Sequence, residues 1–136
     1  DNELESEAVD GDLPGWRAID RDITLYCGDF FDFRDGPFDG HYDRGALVAL
    51  TRDLRARYAR HVASLHSDDA RQLVITLEYD QDDCDGPTFA MTDEEVLGHW
   101  PGLRRHASVD DTANAPPKFL DAGLQQMLEV VWITAG

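Results

Sequence analysis

Two short runs combine residue types and spacing that suit ligand chemistry. Asp43-Arg44-Gly45 follows the strand-like run Phe38–Tyr42 and precedes the apolar stretch 46–50. It therefore reads as the carboxyl end of a strand turning into a helix. Ligands bind at that end in open α/β sheets. A guanidinium there suits a carboxylate, because its planar fork makes paired hydrogen bonds. The plainer reading is a local ion pair contributing roughly 0 to 1 kcal/mol. Asp29-Phe30 also follows a strand-like run, Ile23–Cys27. Its carboxylate can accept from an exocyclic amine and its ring can stack on a base. The plainer reading is a turn cap beside core aromatics.

Other acidic and basic clusters give weaker signals. Asp80, Asp82, Asp83 and Asp85 precede Gly86 and invite a calcium reading. The loop pattern fails, because Cys84 stands where an oxygen ligand belongs and Met91 where the closing glutamate belongs. The five histidines have no metal-ligand spacing; His61 and His66 are five apart on an expected helix and do not share a face. No metal is expected. Neither a serine nucleophile elbow nor a phosphate loop occurs.

The elements that must position these residues follow from periodicity. Leu54, Tyr58, Val62 and Leu65 recur at helical spacing, with Arg52, Arg55, Arg57 and Arg60 between them; this predicts an amphipathic helix lying on a sheet. Leu73–Leu77 is a continuous, β-branched-rich run that suits a parallel strand covered on both faces. Thr92-Asp93-Glu94-Glu95 is a capping box opening a helix that ends near Trp100-Pro101. Residues 103–109 and 124–133 read as the last two strands, with Pro116 and Pro117 in a loop between them. The alternation predicts an α/β sandwich with a largely parallel sheet.

Composition bounds the function. The chain has 136 residues, 42% hydrophobic and 29% charged, with net charge -16. That charge argues against nucleic acid and anionic membranes as partners. No apolar run approaches the roughly 20 residues of a membrane span. Cys27 and Cys84 make neither a disulfide framework nor a zinc site, so a reduced, cytoplasmic protein is the default. Cys27 is expected in the core. Residues 1–15 are expected as a flexible acidic arm and 16–136 as the α/β domain. Residues 3–9 alternatively read as the remnant of a helix.

Three motifs together, Leu25–Asp32, Asp43–Leu50 and Leu77–Phe89 with its Gly86-Pro87-Thr88-Phe89 loop, resemble the thiopurine S-methyltransferase family. The resemblance implies a Rossmann-like class I methyltransferase sandwich and S-adenosylmethionine as cofactor. It implies methyl transfer to a small-molecule thiol or a related sulfur, selenium or tellurium nucleophile. By that match Asp29 would bond the adenine amine and the main chain at Phe30 would meet the ring. Arg44, with Asp43, would lie in the active site near the cofactor's methionine end and the acceptor. Pro87 and Phe89 would wall the acceptor pocket. Thr88 replaces the family's second proline.

The glycine-rich cofactor loop and ribose-binding acid of such enzymes have no counterpart in this sequence beyond Glu3 or Glu5 for the acid. The expected sandwich is thus N-terminally truncated. Its sheet would lack a central strand, a gap that a second copy could fill as a homodimer. The rival reading is a non-catalytic binding or assembly module that has lost the cofactor-binding half.

The net charge of -16 generates a first prediction. Self-repulsion opposes the compact state and is screened by ions. The melting temperature should rise as sodium chloride is added; a flat or falling trend would contradict a solvated acidic surface.

Overall fold

The structure is a computed structural model that describes residues 5–136. Glu3 lies outside the described residues. Two compact units divide the chain at residues 37 and 38.

The first unit is a three-stranded antiparallel sheet of β1 (Ser6–Val9), β2 (Gly15–Ala18) and β3 (Thr24–Tyr26) in that order. The register pairs Ser6 with Ala18 and Trp16 with Leu25. The acidic stretch thus contributes a strand where an arm or helix was expected. The whole of β1 pairs with Gly15–Ala18, a long-range partnership that a charge count cannot reveal. Cys27, expected in the core, is exposed. β3 ends at Tyr26, and the Cys27 amide bonds the Pro14 carbonyl at 2.9 Å at the rim of this small sheet.

The second unit carries β4 (Phe38–Arg44), α1 (Arg52–Ser64), β5 (His66–Glu78), α2 (Asp93–His99), β6 (Leu103–Asp110), α3 (Pro117–Asp121) and β7 (Leu128–Thr134). Its sheet runs β4-β5-β7-β6. β4 and β5 are parallel, with Asp43 opposite Val74 and Arg44 opposite Ile75. β7 is antiparallel to both β5 and β6. The sheet is therefore mixed, and the expected mostly parallel sheet is corrected. The physical reason is that a continuous apolar run reports burial on both faces, which any central strand has, whatever its neighbours' direction.

One face of the sheet presents Val74, Thr76, Val130 and Trp132, all buried, and they pack with Leu47, Ala59, Val62, Val96 and Trp100 from the elements above. The Trp132 indole donates to Thr76 Oγ1 at 2.9 Å, so a buried polar pair is satisfied. A smaller cluster of Ala115, Phe119, Leu124 and Met127 lies under α3. Pro117 occupies the first turn of α3, where its missing N–H costs nothing. Residues 124–127, expected as the start of the last strand, precede β7 instead. His66 lies on β5, not on the preceding helix, because α1 stops at Ser64.

His41 on β4 and His66 on β5 approach to 5.3 Å between ring centroids, and His41 meets the Trp100 ring edge at 5.4 Å. The Gln72 amide group lies 3.1 Å from His41 Nδ1, which suits a neutral ring accepting there. Burial lowers both imidazoles below their ordinary value; at His41 the Asp43 charge opposes this and His66 adds to it. The unfolded chain therefore binds protons at a higher pH than the folded one, so stability rises with pH across that window. On acidification below the ordinary value of about 6.5, the urea midpoint should fall. A double variant, His41→Gln/His66→Gln, should lose less over the same range. Equal slopes in the two proteins would contradict this account.

Candidate functional site

The turn after β4 is built by one carboxylate. Asp43 is 2% exposed. Its Oδ1 accepts from the Ala46 and Leu47 amides at 3.1 and 3.3 Å, and its Oδ2 from the Tyr58 hydroxyl on α1 at 2.7 Å. Gly45, at φ +100°, permits the left-handed step this reversal needs. Burial first, then the Asp43 charge and hydrogen bond, raise the Tyr58 phenol far above its ordinary range, so it acts as a fixed donor. Arg44 points to the other face, with its side chain 61% exposed and its guanidinium 3.4 Å from Glu129 on β7. The structure thus separates the pair: Asp43 is a structural cap and Arg44 a solvated cation at the strand's carboxyl end.

A cleft of about 910 Å³ opens beside the carboxyl end of β5. Tyr79, Phe89 and Met91 supply apolar wall, and Arg55, Glu95 and Arg105 supply charge. Neither Asp43 nor Arg44 lines it. Phe89 is anchored by its amide to the Val48 carbonyl at 2.7 Å, and Met91 by its amide to the Leu77 carbonyl at 2.8 Å. Gly86 is required by close approach: a Cβ there would lie 2.3 Å from the Phe89 ring. Pro87 is exposed, and its carbonyl accepts from the Lys118 ammonium. The Tyr79 hydroxyl donates to the Thr88 carbonyl. Two backbone hydrogen bonds and two side chains therefore hold this loop.

The cleft's arginines are paired with carboxylates. Arg105 Nη1 meets Glu78 at 2.9 Å and Asp93 at 2.6 Å, and hydrogen bonding to Glu78 raises its already high pKa. Arg55 Nη1 meets Glu95 at 3.0 Å, and His99 meets the same carboxylate at 3.1 Å. Thr92 Oγ1 accepts from the Glu95 amide at 3.1 Å, as a capping box requires. The reciprocal half is missing, because the Glu95 carboxylate is engaged by cations, whose charge-assisted bonds are stronger.

Sequence reasoning missed Arg55. The expected apolar stripe on α1 began at Leu54, which is 40% exposed, while Arg55 is 6% exposed. The signal was present: Arg55, Ala59 and Val62 share a face at spacings of four and three, and all three are buried. In the first unit, the exposed Asp29 caps a single 3-10 turn, its Oδ1 accepting from the Phe31 amide at 2.9 Å. Phe30 is the first residue of that turn and is exposed.

The fold defines an α/β protein with a mixed sheet and a cleft beside the carboxyl end of β5. The sequence model of the thiopurine S-methyltransferase family matches residues 9–136, and the chain belongs to that family. It is 42% identical over 124 residues to a thiopurine S-methyltransferase of Bordetella petrii, covering 88% of this chain and 57% of the relative. It is 39% identical over 134 residues to one of Pseudomonas putida, covering 95% and 61%. The chain thus spans about three fifths of the length of these curated relatives. A solved structure of a Burkholderia thailandensis 1,6-didemethyltoxoflavin-N1-methyltransferase, with bound S-adenosylhomocysteine, superposes with TM-score 0.46 at 18% identity over 79% of this chain and 48% of that one.

The two neighbours on β4 should separate in stability measurements. Asp43→Ala removes a buried acceptor of three bonds and should cost at least about 1.5–3 kcal/mol in urea denaturation. Arg44→Ala breaks an exposed pair and should cost no more than about 1 kcal/mol. Similar losses for both would contradict the assigned roles.

Proposed function

We propose that this chain carries the acceptor side of an S-adenosylmethionine-dependent methyltransferase acting on a thiol or a related sulfur, selenium or tellurium nucleophile. The observation that carries the reading is the cleft walled by Phe89, on the loop that resembles the family's acceptor wall. Family membership supports it. Bound S-adenosylmethionine would supply a methyl group on a sulfonium. The chain's own task is alignment, with the acceptor atom held roughly 3 to 3.5 Å from the methyl carbon. Tyr79, Phe89 and Met91 offer an apolar wall for such an acceptor. A thiolate needs no general base, so alignment against that wall is what the acceptor requires of the chain.

The residues that the family resemblance assigns to the cofactor are suited to it in chemical type, each within its own unit. Asp29, an exposed carboxylate, can accept from an adenine amine, and exposed Phe30 can meet a ring. Arg44, exposed and only loosely paired, suits the methionine carboxylate or the acceptor. Asp43 holds the turn that presents it. Two free cysteines suit a reduced, cytoplasmic setting. Among the described residues no helix is long and apolar enough to cross a membrane.

One observation favours a second reading, a non-catalytic binding or assembly module. Among the described residues β4 pairs with β5 alone, so its other edge can receive a strand, from a second copy in a homodimer for example. Isothermal titration with S-adenosylhomocysteine, joined to light scattering, separates the two. The enzyme reading predicts saturable heat and a thermal upshift. No heat and no shift at millimolar ligand, with a stable ligand-free dimer, would support the module instead.

A further inference from the structure

The four-stranded sheet is apolar on both faces and covered on one. Ala59, Val62, Val96 and Trp100 of the α1 and α2 side pack on Val74, Val130 and Trp132. Alternate residues of the same strands turn the other way. There the register sets Leu73 beside Ile133, Ile75 beside Val131, and Val131 beside Ala107 of β6. Among the described residues, Leu73, Ile75, Val131 and Ile133 belong to neither cluster of buried apolar side chains. Leu73 is 37% exposed, and Val109, which continues the strip on β6, is 57% exposed. Strands apolar at successive positions suit burial on both faces, and this strip leaves half of that burial unused. Its charges also differ from those of the chain as a whole, which has 28 acidic and 12 basic side chains. Arg104 stands directly opposite Ile133, and Arg71 lies one alternation before Leu73. Both are exposed and in no ion pair among the described residues; Arg71 donates to the Gly136 carbonyl at 3.1 Å. Glu129, the acid inside the strip, is already engaged by Arg44 at 3.4 Å.

We propose that this strip docks an amphipathic helix of a partner protein, with carboxylates flanking the helix's apolar stripe. β5, β7 and β6 are neighbours in the sheet, roughly 4.8 Å apart, so the strip is about as wide as one helix, roughly 10 Å. Burial of the apolar residues supplies the driving force. The partner is acidic because Arg71 and Arg104 flank the strip without carboxylates of their own, and complementary charge fixes partner and register. A second copy docked face to face would bring the same two cations against each other, since a two-fold contact joins like patches. None of the strip's residues lines the Phe89 cleft, and the contact uses side chains rather than the free backbone edge of β4.

Two synthetic helical peptides of about 15 residues, matching the length of a seven-residue strand such as β7, serve as probes. Both carry the same leucine and alanine stripe; one has glutamate on its flanks and the other lysine. They are titrated into the isotope-labelled full chain at about 0.15 M sodium chloride, where charges more than about 8 Å apart are screened. The glutamate peptide should bind more tightly, with the largest amide shifts at Leu73, Ile75, Val131 and Ile133. The net charge of -16 alone would favour the lysine peptide, so the opposite preference reports the local cations. Arg104→Glu should weaken the glutamate peptide by roughly three- to tenfold and leave the lysine peptide no weaker; Arg104→Gln should give a smaller loss in the same direction and serves if the reversed charge proves unstable. Equal or reversed preference, shifts confined to other surfaces, or undiminished binding by both Arg104 variants would overturn the proposal. Light scattering of the peptide-free chain tests the rival occupant: a dimer that Val109→Glu dissociates would place a second copy on the strip and overturn the proposal too.

Discussion

The second unit turns on the Asp43 carboxylate. A single buried group ties the end of β4, the reversal at Gly45 and the middle of α1 into one piece. Everything beyond it inherits that geometry. α1 can present Arg55 to the cleft only if Tyr58, one turn along the same helix, is held against the strand. Val48, in the turn that Asp43 caps, supplies the carbonyl that anchors Phe89. A charged residue in such a place is tolerated because every donor around it is aimed at it, and its removal would leave those donors buried without a partner.

The same logic of paired charge runs through the cleft. A chain with net charge -16 would be expected to spend its few arginines on the surface. Instead Arg55 and Arg105 are placed between carboxylates beside an apolar wall. The result is a cleft in which both arginines are held by carboxylates and whose apolar wall is aromatic and thioether. That wall is a suitable lining for a soft, polarisable nucleophile.

Much of this was legible in the sequence where a local rule acts alone. The Thr92 cap, the α1 helix, the buried run of β5 and the turn at Asp43-Arg44-Gly45 are each set by neighbours in sequence. What escaped was decided by partners distant in the chain. The direction of β7 depends on where α3 delivers the chain, not on the composition of either strand. Glu95 abandoned half its capping box for Arg55, forty residues away. Arg55 was read as solvated because arginine usually is, although its spacing from Ala59 and Val62 placed it on the inner face. Likewise Asp43 and Arg44 looked like one functional pair, yet alternation along a strand sends adjacent side chains to opposite faces. The unit boundary at residues 37 and 38 also escaped, since a strand among acidic residues leaves little trace in composition.

The account's central claim is that the cleft of the second unit receives the acceptor. Backbone amide shifts of the labelled chain, recorded during titration with methyl phenyl sulfide, test it most directly. The account predicts that the largest changes fall on Tyr79 and on Gly86 through Met91, with Trp16 to Tyr26 of the first unit unmoved. Changes absent from that loop, or concentrated on the first unit's sheet, would contradict it.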